Sequence, residues 1–169
     1  MTPFRSIIIT ASLSMAVANA GMTIPNVRIK PDSIAGVIWY HDSSTTKFNN
    51  VNAMYVYVGK QTTVPTLRLR LQYENDKWLF IQKATLVADG HKYLVTGSWQ
   101  RDHNARVWEW VDLVVEAPQM QMLKQVANAK SVVVRYEGRQ YIHDRTIPAK
   151  ELKAIAHMLQ VYKDLGGTL

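Results

Sequence analysis

The clearest pattern of apolar and polar positions, that of a strand, a turn, a second strand and a helix, runs from Ser131 to Leu165. Val132 and Val134 alternate with Val133 and Arg135, a period of two that predicts a strand. Glu137-Gly138 offers the backbone freedom of a tight turn. The chain then returns with Tyr141 and His143 on one face and Gln140, Ile142 and Asp144 on the other. Thr146 or Ile147 starts a helix, with Pro148 at or near its first position, where a missing N–H is harmless. Gly166-Gly167 ends it. Leu152, Ile155, Ala156, Leu159 and Tyr162 form one apolar stripe on this helix, and Ala154, Met158, Val161 and Leu165 form a second beside it. A helix that is apolar on two sides needs two things to pack against. A sheet and a second helix of the same domain would serve. So would a partner subunit or another envelope protein at Met158, Val161 and Leu165, which leaves a homodimer open.

Upstream the pattern is mostly that of strands. Residues 21–33 carry Pro25 and Pro31 without periodicity and read as an extended arm, at most an edge strand. Ile34–His41 reads as a buried strand, Asp42–Asn50 as a polar loop, and Val51–Val58 as a central strand. Thr66–Glu74 alternates most cleanly, with Leu67, Leu69, Leu71 and Tyr73 inward and Arg68, Arg70, Gln72 and Glu74 outward. Lys77–Val87 is expected to return beside it as the second arm of a hairpin, and Asp89-Gly90 to turn the chain into His91–Thr96. Residues 97–104 read as irregular, 105–115 as a strand and 118–129 as a helix. There is no internal repeat and no low-complexity run. The order predicts one α+β domain over residues 34–169. It would be a meandering, mostly antiparallel sheet of about six to eight strands with two helices on one face.

The first twenty residues change the picture of where this domain works. Arg5, the apolar run Ile7–Val17 and Ala18-Asn19-Ala20 match the three regions of a cleaved secretory signal. The apolar run is too short to span a bilayer, so the expectation is an exported protein, periplasmic or extracellular, with no transmembrane segment after cleavage. The chain has no Cys, so neither a disulfide nor a lipidated cysteine is available. The net charge is +7 and the pI about 9.7. That balance suits anionic partners such as an acidic glycan or a phosphate-bearing glycolipid. The basic residues form no run, and an exported protein makes nucleic acid a poor expectation.

A resemblance points the same way. Trp78–Ile81, Asp89–Tyr93, Trp108–Asp112, Met122–Lys130, Asp144–Ile147 and Leu159–Gly167 are spaced in a way that resembles an uncharacterised family of bacterial exported proteins and lipoproteins. The resemblance covers about Val51–Gly167 and implies a β-rich domain with paired helices, similar to the TATA-binding-protein-like topology. It implies no activity. Where the family's last helix opens on Thr-x-x-Glu, this chain has Pro148 and Glu151, an incomplete capping box.

Chemistry-bearing residues are sparse. The five histidines (41, 91, 103, 143 and 157) show no ligand spacing, so no metal and no cofactor is expected. His157 reads as solvated beside Lys153, Gln160 and Asp164. His41-Asp42-Ser43 holds three triad residue types, but adjacent residues cannot take triad geometry. Glu109 and Asp112 are three apart and face opposite sides of a strand, while Asp112 and Asp144 meet only if their strands do. No catalytic residue is assigned. Trp108 and Trp110 share a strand face roughly 6.6 Å apart and offer an aromatic platform for a sugar ring, or else pack under the helices. Arg68 and Arg70 share the polar sheet face, with Lys83 and Arg135 as candidates to join them in holding an anion. The same residues also suit cross-strand ion pairs with Glu74, Glu137 and Glu109. The sequence therefore favours a non-catalytic binding or interaction module of the cell envelope. The alternative is a hydrolase of unrecognised type with its site in the polar loops 42–50 or 98–104.

Overall fold

The computed structural model describes residues 23–169. The expected signal segment, residues 1–20, lies outside them. Among the described residues the chain forms β1 (Val27–Asp32), β2 (Val37–Asp42), β3 (Ala53–Lys60), β4 (Pro65–Asn75), β5 (Lys83–Ala88), β6 (His91–Val95), β7 (Gln100–His103), β8 (Val107–Val114), α1 (Ala117–Asn128), β9 (Val132–Glu137), β10 (Ile142–Thr146) and α2 (Ala149–Asp164). The fold is α+β and its sheets are antiparallel, as the pattern predicts. A six-stranded sheet runs β1-β2-β3-β4-β8-β7. A second sheet of four strands runs β10-β9-β5-β6.

That division corrects two expectations. Residues 77–87 do not return beside β4: β4 pairs with β3 and β8, and β5 pairs with β6 and β9. Residues 97–104 are not wholly irregular, because β7 pairs along β8 as the sheet edge. The Asp89-Gly90 turn is as expected. Both residues hold positive φ (45° and 90°), the backbone that matches the twist of a two-residue hairpin.

In the six-stranded sheet, Leu67, Leu69, Leu71 and Tyr73 of β4 face inward beside Met54, Val56 and Val58 of β3 and Val111 of β8, all nearly inaccessible. Ala84, Leu86, Val132, Val134 and Tyr136 form the inner face of the second sheet. The two faces belong to one core, together with Met122, Leu123 and Val126 of α1. Tyr136 joins them directly. Its hydroxyl donates to the Gln72 carbonyl at 3.2 Å, and its ring lies 5.7 Å from Tyr73 and 5.9 Å from Trp99. Each fully buried Leu or Val here contributes about 1.5–3 kcal/mol.

Helix α2 packs on β3 and against α1, so both of its stripes are covered. Met158, Val161 and Leu165, expected as a partner interface, are 0%, 2% and 5% exposed inside the chain's own core. Two apolar sides meet two elements of the same domain, and no apolar stripe is left on that side for a second molecule. Ala156, placed in the first stripe, is exposed instead.

Candidate functional site

The outer face of the six-stranded sheet carries the arginines singled out in the sequence. Arg68 and Arg70 do share it, opposite Asp112 of β8. Arg68 Nε donates to Asp112 Oδ1 at 2.8 Å and Arg70 Nη1 to Oδ2 at 3.2 Å. The Tyr57 hydroxyl donates to the same Oδ2 at 2.6 Å. Burial and then the neighbouring Asp112 carboxylate push the Tyr57 phenol well above its ordinary value. Arg70 also donates to Gln72 and to Asn49 of the loop after β2, and lies 5.1 Å over the Trp110 ring. All three Arg70 guanidinium nitrogens and Arg68 Nε are therefore used internally. Lys83 and Arg135 do not join them. They lie on the outer face of the second sheet, paired with Glu137 at 3.1 Å and Asp144 at 2.6 Å. Asp112 and Asp144 consequently sit on different sheets. Trp108 is 8% exposed and Trp110 lies under Arg70, so neither ring is a bare platform.

A better-formed concavity opens on the other side of the loop after β2. A cleft of about 680 Å³ runs between residues 42–44 and α2, and a hollow of about 310 Å³ continues it toward Asn52 and Glu151. Lys150, Lys153, Ala154 and His157 fall at i, i+3, i+4 and i+7, one face of the helix, and all four line the cleft. Facing them is a turn fixed by its own side chains. Asp42 Oδ1 accepts from the Ser44 amide at 2.7 Å and from Ser44 Oγ at 2.5 Å. Thr45 Oγ1 donates to the Asp42 carbonyl at 2.8 Å, and Arg28 donates to the carbonyls of Ser43 and Thr45 at 2.9 and 3.1 Å.

The second carboxylate oxygen of Asp42 reaches His157 Nδ1 at 2.6 Å. Burial raises the Asp42 pKa, but the bonds from Ser44 and His157 outweigh it and hold the carboxyl below its ordinary value. An ionised carboxylate only accepts, so Nδ1 carries the proton and the opposite ring nitrogen, Nε2, is left for the cleft. This corrects the reading of His157 as merely solvated. Its partner stands 115 residues away, and a helical wheel shows only the neighbours on the helix. The visible signal was the Lys150, Lys153, His157 spacing on one face. Ser44 Oγ bonds the carboxylate and not the imidazole, so no triad forms. His41, next to Asp42 in sequence, points to the opposite face of the sheet and stacks on Tyr57 at 4.9 Å.

Among the described residues no group of three or more His, Asp or Glu side chains is placed to hold a metal ion. No helix among them is long and apolar enough to cross a membrane. Compared with protein-family models, with curated proteins and with solved structures, the chain matches none.

Proposed function

We propose that this chain is a non-catalytic binding module of the bacterial cell envelope, and that it takes an anionic group of a glycan or glycolipid in the cleft between residues 42–44 and α2. The observation that carries this reading is the helix face of Lys150, Lys153 and His157 opposed to a rigid, hydroxyl-bearing turn. Neither lysine makes an ion pair among the described residues. The one carboxylate in the cleft, Asp42, already has His157 and Ser44 as partners. Two ammonium groups that form no ion pair therefore stand beside hydroxyls and outnumber the single carboxylate of the cleft, an arrangement that attracts a phosphate or carboxylate. The Arg68–Arg70 face supports the reading less well, because Asp112 pairs with both guanidiniums and Gln72 and Asn49 take the other Arg70 nitrogens. Envelope location rests on the signal-like residues 1–20 and on the resemblance to exported proteins.

Calorimetric titration of the purified protein with a sugar phosphate, and with vesicles containing an anionic glycolipid, tests the site. Lys150→Glu/Lys153→Glu is expected to weaken binding by at least about tenfold, since each charge-assisted contact is worth about 1.5–3 kcal/mol. Lys92→Glu, an exposed charge on the second sheet, is the matched control and is expected to leave binding unchanged. Equal loss in both variants would reduce the effect to net charge and remove the cleft.

The Asp42–His157 pair favours one second reading, a hydrolase in which His157 Nε2 acts as general base on water. Turnover of the bound phosphomonoester that disappears in His157→Gln would replace the first reading with this one.

A further inference from the structure

We propose that residues 78–80 and 139–141 form a second, separate subsite that receives a single pyranose ring carrying an anionic group. It does not depend on the cleft beside α2. The segment after β4 crosses from one sheet to the other, and one buried side chain fixes its shape. Glu109 is 0% exposed, and its carboxylate accepts from the amides of Leu79, Phe80 and Ile81, each at 2.8 Å. Arg101 Nε donates to the same carboxylate at 2.8 Å, and Arg101 Nη2 donates to the Ile81 carbonyl at 2.8 Å. Three successive amides drawn to one carboxylate hold this stretch in a single conformation.

In that conformation Phe80 sits at φ 55°, a left-handed backbone that bulky residues rarely adopt. Its side chain is 42% exposed. Neither backbone ease nor burial accounts for a phenylalanine there. What it does is stand beside Trp78, ring centroids 5.9 Å apart and planes 26° from parallel. The two rings open onto a hollow of about 230 Å³ closed by Arg139, Gln140 and Tyr141. The Arg139 and Arg101 guanidiniums lie 5.7 and 5.8 Å from the Phe80 centroid, so that ring is shared with two cations and the remaining aromatic surface comes from Trp78 and from Tyr141, which is 66% exposed. The turn after β9 reaches this position because Gly138 has no side chain: a Cβ there would collide with the Leu79 carbonyl.

Flat aromatic faces suit the apolar C–H faces of a sugar ring. The Gln140 amide suits its hydroxyls, and the Arg139 fork suits a carboxylate or other anion on it. The hollow is smaller than the roughly 300 Å³ at which drug-sized pockets begin. It therefore fits one ring, with the rest of a chain running into solvent. Fixed rings lose little freedom on binding, which favours a built subsite over an incidental cluster.

The test uses the full chain carrying Lys150→Glu/Lys153→Glu, which silences the cleft beside α2, and three probes at matched concentration: a galacturonate oligosaccharide, a neutral hexose oligosaccharide and polyglutamate. Binding is expected for the galacturonate, at least about tenfold weaker for the neutral sugar, and absent for polyglutamate. Arg139→Ala is expected to lower the acidic sugar to the level of the neutral one. Phe80→Gly is the decisive variant. Glycine accepts positive φ, so the fold should survive with an unchanged or higher melting temperature while binding falls at least about tenfold. Tyr141→Ala, at an exposed position, provides a second variant with no folding risk and should weaken binding several-fold. The proposal is overturned if no sugar binds, if polyglutamate binds as well as the galacturonate, or if Phe80→Gly binds like the parent.

Discussion

Glu109 accepts four hydrogen bonds while wholly buried, three from amides and one from Arg101. Its charge is balanced by one partly exposed guanidinium, so removing it leaves three amides with weaker partners and an arginine without its counter-charge. Glu109→Gln is expected to lower stability by about 3 kcal/mol or more, read as a shift in the urea midpoint at constant slope. His41 gives a pH dependence of definite sign. Burial, with Arg28 and Lys30 nearby, pulls its pKa from the ordinary 6.5 to about 4, and Asp112 only partly opposes them. The unfolded chain therefore binds more protons between those values. Stability is full above pH 6.5 and falls as pH drops toward about 4, by at most about 3 kcal/mol before solvent screening at this half-buried site. His41→Gln should flatten that limb of a stability–pH curve. A second acid limb follows from Asp42, whose carboxyl is held below its ordinary value. Its contribution is present above about pH 4 and is lost as pH falls through the depressed folded pKa, and Asp42→Asn should remove that limb alone.

At the scale of elements, alternation told which side chains share a face but not which sheet the face belongs to. Arg68, Arg70, Lys83 and Arg135 all read as outward positions, and all four are outward, yet on two different sheets. Strand β4 itself was plain from Leu67, Leu69, Leu71 and Tyr73. Its neighbour was not, because the match is made by β8 some forty residues on, where Leu69 meets Leu113 and Arg70 meets Asp112. The segment that bears Trp78 and Phe80 looked like a strand, and nothing local shows that a buried Glu109 bends it outward. For the same reason the sequence favours Trp108 and Trp110 as the aromatic pair, although the pair that borders a hollow is the half-buried Trp78 with the exposed Phe80. The hairpin before α2 was legible, but Gly138 plays a different part from the one expected of it. Its φ is not among the positive ones, and what it supplies is closeness to the Leu79 carbonyl. Gly138→Ala must move that backbone contact and is expected to destabilise by about 1–3 kcal/mol, measured by thermal unfolding. An unchanged melting temperature would mean that the turn can shift away from residue 79 at no cost.

At the scale of the whole molecule, the division into two sheets raises the question of whether they fold as one unit. Three features argue that they do. Buried residues of both sheets and both helices form a single cluster. Tyr136 of the four-stranded sheet donates to the backbone of Gln72 in the six-stranded one. The crossing segment is fixed to Glu109 of β8 before it enters β5. Neither sheet has a second core to retreat to, so losing one exposes the inner face of the other. Urea unfolding is therefore expected to show one transition, with tryptophan fluorescence and far-UV circular dichroism coincident. Leu69→Ala and Leu86→Ala, one in each inner face and both 0% exposed, should each lower that single transition by about 2–5 kcal/mol. If Leu86→Ala instead split the curve and left the six-stranded sheet folded, β5, β6, β9 and β10 would be a separable unit, and the link through Tyr136 and Glu109 would be a contact between units and not the middle of one core.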